Sequence, residues 1–275
     1  MKKIILIFLI SILFNCSTDT KENFISLFVI TEELELGENR IVLTVLDENG
    51  KTLTEDLKFY YKKLEDEKKE EILNTKISNW PPNRKVFVTK VDFDKIGYWE
   101  FIVKSGKNEA KATSIITEKS QILSIGDSVE PIYTPSLSQY NISEISTDIN
   151  PYNNLYKYSL DEALFEQKPI IITFSTPGLC VTGTCSPQLE ELKEISKDYN
   201  NVIVIHVEIW KNFNEVMQKG DLSIGVLNDS VKKFHIETEP WTFLINQDGI
   251  VTNRYQGFVE FKELDHDLKS VIENQ

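Results

Sequence analysis

The chain has 275 residues, 41% of them hydrophobic, a formal charge of -13 at pH 7 and three cysteines. At about 100–150 residues per domain, that is enough apolar material for one sizeable core and for a second beside it. The acidic balance and the scarcity of basic clusters argue against a nucleic-acid partner and against an electrostatic grip on an anionic membrane surface. No phosphate-cradling glycine loop, Ser-His-Asp order or paired-carboxylate arrangement stands out either.

The leader sets the compartment. Lys2 and Lys3 precede the mostly apolar run Ile4–Phe14, which has the layout of a secretory signal and is too short to span a bilayer as a mature helix. Leu13-Phe14-Asn15-Cys16 resembles the lipobox of bacterial lipoproteins, which implies removal of residues 1–15 and lipidation of Cys16. Asn15 departs from the small residue usual there, and the alternative is an ordinary signal peptide cut a few residues later. Both readings take the protein out of the cytoplasm, to the periplasm or the outer face of a bacterial membrane. Residues 16–23 then form a short polar tether. With Cys16 carrying lipid, Cys180 and Cys185 are each other's only partner, in a compartment where disulfides persist.

Residues 24–118 have the pattern of strands. Candidate runs at 24–30, 40–46, 57–63, 85–91, 98–104 and 110–117 are separated by turn chemistry such as Asp47-Glu48-Asn49-Gly50 and Ser105-Gly106-Lys107-Asn108. Short strands at this spacing, without an amphipathic helix, predict an immunoglobulin-like β-sandwich, here with no cysteine to bridge its sheets. The charge run from Lys62 to Glu71 reads as a solvated loop or a fraying helical turn. Trp80-Pro81-Pro82 reads as a stiff turn, and Trp99 as a core residue.

Residues 119–157 lose regular periodicity while Pro131, Pro135 and Pro151 accumulate, and they read as a linker on the surface of the next domain. Ile122, Leu123, Ile125, Ile132, Tyr133 and Leu137 are too many apolar groups for a free tether. Residues 158–275 then alternate. Ser159 caps a helix with Asp161 and Glu162 in its first turn. A strand at 169–174, a cysteine loop, a helix at 187–199 and a strand at 202–209 follow. An irregular stretch to Ile236 leads to strands at 241–246 and 250–255 around the turn Gln247-Asp248-Gly249, and a last helix spans 260–272. This order predicts an α/β domain with a central mixed sheet. A cysteine at the start of the 187–199 helix meets unpaired backbone N–H groups and the positive end of the dipole, which favour its thiolate. Cys180 and Cys185 are therefore the candidates for redox chemistry.

The order of parts in this half resembles the thioredoxin fold, over roughly Tyr158 to Ile272, with Pro240 in the place of that fold's cis-proline facing the cysteines. More narrowly, Phe174-Ser175-Thr176-Pro177, Cys180 with Cys185, His206-Val207-Glu208 and Glu239-Pro240-Trp241 resemble a group of bacterial extracytoplasmic thioredoxin-like proteins. The cysteine loop of that group has four intervening residues. Its members also carry an N-terminal β-domain, and Gly37-Glu38-Asn39-Arg40 resembles its opening signature. The resemblance implies thiol–disulfide exchange with protein thiols and disulfides of the cell envelope, no cofactor, and Cys180, Cys185 and Pro240 as catalytic residues. Cys185-Ser186-Pro187-Gln188 resembles the thioredoxin motif shifted along the chain, which makes Cys185 the attacking cysteine and Cys180 the resolving one. Distance from Phe174 puts Cys180 first instead. Glu239, beside the proline, would raise thiol pKa values by like-charge repulsion.

Three rival readings remain. The first is a structural, loop-closing disulfide in a non-catalytic binding lipoprotein. The second is a thiol peroxidase, since Thr176-Pro177-Gly178 before a cysteine resembles one peroxiredoxin subgroup. Against it, Thr176 lies four residues before Cys180 where that chemistry needs three, and Arg254 is the only arginine of the domain. The third is copper(I) binding by the two cysteines and His206, although a histidine inside an apolar strand fits a hydrogen-bonded core residue better. His235 and His266 read as surface residues.

Overall fold

Alternating apolar residues drive the first half into strands: β1 (Ile25–Val29), β2 (Gly37–Asp47), β3 (Lys58–Lys63), β4 (Glu70–Ile72), β5 (Lys76–Trp80), β6 (Arg84–Phe93), β7 (Gly97–Ser105) and β8 (Asn108–Ile116). They form two four-stranded sheets, ordered β1-β2-β6-β5 and β4-β3-β7-β8, with antiparallel neighbours throughout. Ile41, Leu43 and Val45 of β2 and Phe87, Val91 and Phe93 of β6 meet Phe59, Trp99, Phe101 and Val103 from the other sheet in one core. The result is a β-sandwich. In the computed structural model, residues 24–273 are described, so the expected signal peptide, Cys16 and the tether lie outside the described residues. Among the described residues no helix is long and apolar enough to cross a membrane.

The sandwich departs from the expectation at the charge run. Lys62 and Lys63 end β3, Glu70 and Glu71 belong to β4, and Tyr61 pairs with Glu70. Only the six residues between β3 and β4 form the solvated turn. An edge strand needs few apolar residues, and Ile72 alone carries β4 into the core.

The segment 119–157 runs along the second half of the chain. The N–H groups of Gly126 and Val129 donate to the carbonyls of Val251 and Gly249, each at 2.8 Å. The short helix α1 (Ile142–Ile145) and a 3-10 turn at Asn153–Tyr156 bury Ile145, Leu155 and Tyr156.

The second half contains α2 (Leu160–Phe165), β9 (Ile170–Phe174), α3 (Cys185–Asp198), β10 (Ile203–Val207), α4 (Phe213–Lys219), α5 (Asp229–Lys233), β11 (Trp241–Ile245), β12 (Val251–Gln256) and α6 (Phe261–Glu273). A capping box starts α2, with Ser159 and Glu162 as its reciprocal partners. The sheet order is β10-β9-β11-β12, with β9 and β10 parallel and β11 antiparallel to both β9 and β12. Ile170, Ile172, Phe174, Ile205, Val207 and Phe243 face one core; Ile171, Val204 and Leu244 face the other, with Leu189 and Leu192 of α3 and Leu264 and Leu268 of α6. Burial on both faces explains why β9, β10 and β11 are nearly continuous apolar runs. A parallel strand–helix–strand unit followed by a hairpin and a closing helix is the thioredoxin arrangement that the resemblance implied. Helix α3 starts two residues earlier than expected, at Cys185, because a proline in the first turn removes only an N–H that has no intrahelical acceptor.

Ion pairs and hydrogen bonds tie the two halves together. Arg40 grips Glu263 with two nitrogens at 2.6 and 2.8 Å, and Arg254 meets Glu35 at 3.0 Å. The side-chain oxygen of Gln256 accepts the N–H groups of Glu32 and Glu33 at 2.8 and 3.2 Å.

Candidate active site

Where β9 ends, Ser175 and Thr176 remain buried and a 3-10 turn at Pro177–Leu179 lifts the chain to Cys180. The loop then runs through exposed residues 181–183 and re-enters the protein at Thr184 and Cys185, the first residue of α3. Cys180 and Cys185 form a disulfide with their Cα atoms 6.1 Å apart. The two sulfur-bearing residues have different surroundings. Cys185 is fully buried, whereas Cys180 is half-buried. The sulfur of Cys180 accepts the backbone N–H of Cys185 at 3.4 Å and lies 3.2 Å from the hydroxyl of Thr182, which in turn contacts Thr184 at 2.7 Å. The first-turn N–H of α3 therefore acts on the sulfur of the other cysteine, the more accessible one.

Beneath the loop, Thr176 sits between two carboxyl groups. Its N–H donates to Glu239 and its hydroxyl oxygen accepts the N–H of Ile209 at 3.0 Å, with Glu208 close by on the other side. Glu208 also accepts the N–H and hydroxyl of Thr147 at 2.6 and 2.9 Å, and the Thr147 oxygen accepts the N–H of Gly178 in the cysteine loop at 2.8 Å. A Cβ on Gly178 would lie 2.8 Å from Thr147, so only glycine allows this approach. Burial pushes Glu239 up to about 7 against the pull of the Thr176 N–H. It pushes Glu208 up to about 8 against its Thr147 donors, with the nearby Glu239 charge adding to the rise. One oxygen of Glu208 is buried without a partner.

Pro240 is buried, follows a cis peptide bond and immediately precedes β11, whose first residue Trp241 pairs with Phe174 at the end of β9. That register brings Pro240 alongside the strand end from which the cysteine loop departs. The carbonyl of Pro240 accepts the N–H of Gly257 at 2.8 Å.

His206 is a satisfied core residue. Its Nε2–H donates to the Ser175 carbonyl at 2.9 Å, and its Nδ1 pairs at 2.8 Å with the Tyr156 hydroxyl, itself 2.7 Å from Ser146. Burial pushes its pKa down to about 4 despite the Ser175 carbonyl. His235 and His266 are exposed. Among the described residues no group of three or more His, Cys, Asp and Glu side chains is arranged to hold a metal ion. Arg254 is not at the cysteines; it is committed to Glu35 at the junction of the two halves.

The residue that sequence reasoning missed is Thr147. Thr176 and Glu208 entered it as members of short motifs, without the contacts they make here, and Glu239 as a like charge beside the thiols. A Glu next to Pro240 was the one local signal available.

No protein-family model matches the chain, and no curated relative matches it. Solved structures do. One is of a protein assigned as the thiol:disulfide interchange protein DsbE of Chlorobium tepidum, at 14% identity and a TM-score of 0.39, covering 55% of this chain and 99% of that one. Another is a thiol-disulfide oxidoreductase from Bacteroides fragilis, at 17% identity and 0.34, covering 52% and 98%. A third is the exposed lipoprotein thioredoxin Etrx1 of Streptococcus pneumoniae, at 17% identity and 0.31, covering 41% and 90%. The assignment of the fold rests on the strand order and directions given above.

Proposed function

We propose that the chain is an extracytoplasmic thiol–disulfide oxidoreductase, held at the membrane by lipid on Cys16 and acting on protein thiols and disulfides through Cys180, Cys185 and Pro240. The observation that carries this reading is the half-buried Cys180, more accessible than the fully buried Cys185, with its sulfur set against the first-turn N–H of Cys185. A structural bond has no need of that exposure. In the reducing direction, the Cys180 thiolate attacks one sulfur of a substrate disulfide, and the other substrate sulfur leaves as a thiolate and takes a proton. Cys185 then gives up its proton and attacks the Cys180 sulfur of the mixed disulfide. The second substrate thiol departs, two electrons have passed to the substrate, and the Cys180–Cys185 bond remains. The reverse sequence oxidises a dithiol. Cys180 is thus assigned as the nucleophile and Cys185 as the resolving cysteine.

The strand orders β1-β2-β6-β5 and β4-β3-β7-β8 support reading the sandwich as immunoglobulin-like. Thiol trapping across glutathione buffers tests the main proposal. A reversible couple at roughly -120 to -270 mV is the expected result, and a bond that resists reduction below about -300 mV would make the disulfide structural.

A further inference from the structure

The tip of the β5–β6 hairpin of the sandwich reaches the cysteine loop. Pro82 lies 3.9 Å from the place a Cβ would take on Gly183, between the two cysteines. Trp80 packs against Gly257, where a Cβ would stand 2.6 Å from its ring, and meets Phe258 edge-on with centroids 6.1 Å apart. The N–H of Asn79 donates to Glu260 at 2.8 Å, fixing the hairpin to the chain that follows β12. Between them lies a cleft of about 840 Å³, walled by Trp80, Pro81 and Pro82 on one side and by Ser186, Pro187 and Phe258 on the other. It opens at the first turn of α3, directly after Cys185.

The loop and the segment near it also expose apolar side chains. Val181, inside the loop, is 84% exposed and Ile149 is 91% exposed. Met217, half-exposed, lies 3.5 Å from the Cβ position of Gly178. Pro82 and Val181 are thus exposed apolar groups near the disulfide, where a partner would cover them, while Trp80, Pro81 and Pro187 are partly exposed and Phe258 is buried. The charges of the cleft favour one kind of partner: Glu190, Glu191 and Glu260 outnumber Arg84 and Lys85. A small disulfide bearing free carboxylates gains nothing there, whereas a neutral or basic polypeptide does.

We propose that the β5–β6 hairpin is a substrate wall, in which Trp80, Pro81 and Pro82, facing Pro187 and Phe258, seat apolar residues beside the cysteine of an extended polypeptide whose disulfide meets Cys180. This inference rests on the exchange chemistry proposed above. It gives the sandwich a role in choosing substrates.

The test uses the chain from Ser17 onward, which retains every described residue, and three probes. These are a peptide disulfide with Leu and Val flanking the cysteine, a matched peptide with Asp at those places, and glutathione disulfide. The wild type should exchange with the apolar peptide about tenfold faster than with the acidic one, and Trp80→Ala should lower that ratio several-fold, the glutamates of the cleft accounting for what remains. An unchanged ratio would remove the wall while leaving the exchange reading intact. No exchange with any probe, glutathione disulfide included, would overturn the exchange reading and the wall with it. Because Trp80 also packs on Gly257, a second measurement leaves it in place. A photo-crosslinking residue at exposed Asn83, in the Cys185→Ser variant carrying the apolar peptide as a mixed disulfide, should crosslink to that peptide. A mixed disulfide that forms without a crosslink would place the peptide elsewhere.

Discussion

The backbone N–H of Cys185 lies 3.4 Å from the sulfur of Cys180, and under the proposed exchange chemistry this contact gives the two cysteines different roles. Partial positive charge at the start of α3 stabilises a thiolate on Cys180, while Cys185 has no exposed surface from which to attack. Single variants therefore differ in reactivity. In Cys185→Ser the remaining Cys180 should be alkylated by iodoacetamide at neutral pH on the order of ten times faster than Cys185 in Cys180→Ser, and should hold peptide mixed disulfides. The opposite order of rates would return the attacking role to Cys185.

Glu208 and Glu239 flank Thr176, and both bind their protons more tightly in the folded chain than an ordinary glutamate does. With more protons bound folded than unfolded, stability is greatest at the acid end of the window. It falls as pH rises from the ordinary value of 4.5 through about 7 and about 8. At roughly 1.4 kcal/mol per pKa unit, the two rises together correspond to a loss of at most about 8 kcal/mol. Exposed carboxylates lowered by lysine partners, such as Asp229 and Glu215, act only below their ordinary values, whereas His206, lowered to about 4, adds stability as pH rises toward 6.5 and offsets part of the fall in the lower half of the window. Urea midpoints of the wild type should fall between about pH 5.5 and about pH 8.5. Glu208→Gln and Glu239→Gln should each flatten part of that fall, and wild-type slopes in both variants would mean that the carboxyls titrate normally.

The parts of the fold that could be read from the sequence are those with a strong period of their own. The run Ile170–Phe174 is buried at every position, and Leu189, Leu192 and Ile195 recur at helical spacing, so β9 and α3 declare themselves. The edge strands β4 and β5 each bury one residue, Ile72 and Ser78, and take their form from the partners β3 and β6. Thr147 lies 31 residues before Gly178 in a stretch without periodicity, so its place under the loop is set by tertiary packing alone. The two-residue shift of the α3 start from Pro187 to Cys185 mattered most. It changed which sulfur the helix terminus serves.

The pair Arg254–Glu35 is the most buried ion pair joining the two halves, with side chains 9% and 13% exposed and 3.0 Å apart. Glu35 also accepts the N–H of Ser120 at 2.8 Å and the hydroxyl of Ser124 at 2.6 Å, which hold it in place if the cation is removed. Arg254→Met should then cost about 3–5 kcal/mol in urea unfolding, mainly from the uncompensated Glu35 charge. Glu35→Gln in the Arg254→Met background should recover much of it. A loss below about 1 kcal/mol would indicate a solvated pair.

Gly257 joins Pro240 to the sandwich, since its N–H donates to the Pro240 carbonyl while Trp80 covers its Cα. Its φ of +74° suits glycine, and an added Cβ would stand 2.6 and 3.0 Å from two ring atoms of Trp80. Gly257→Ala thus carries two separable costs: about 1–2 kcal/mol for the left-handed backbone and about 1–3 kcal/mol for the overlap. Trp80→Ala removes the second and leaves the first. In a double-mutant cycle followed by urea unfolding, Gly257→Ala should be cheaper in the Trp80→Ala background by that second amount. Strict additivity would mean that the indole does not rest on Gly257 in solution, and the cleft beside the cysteines would lose the wall that defines it.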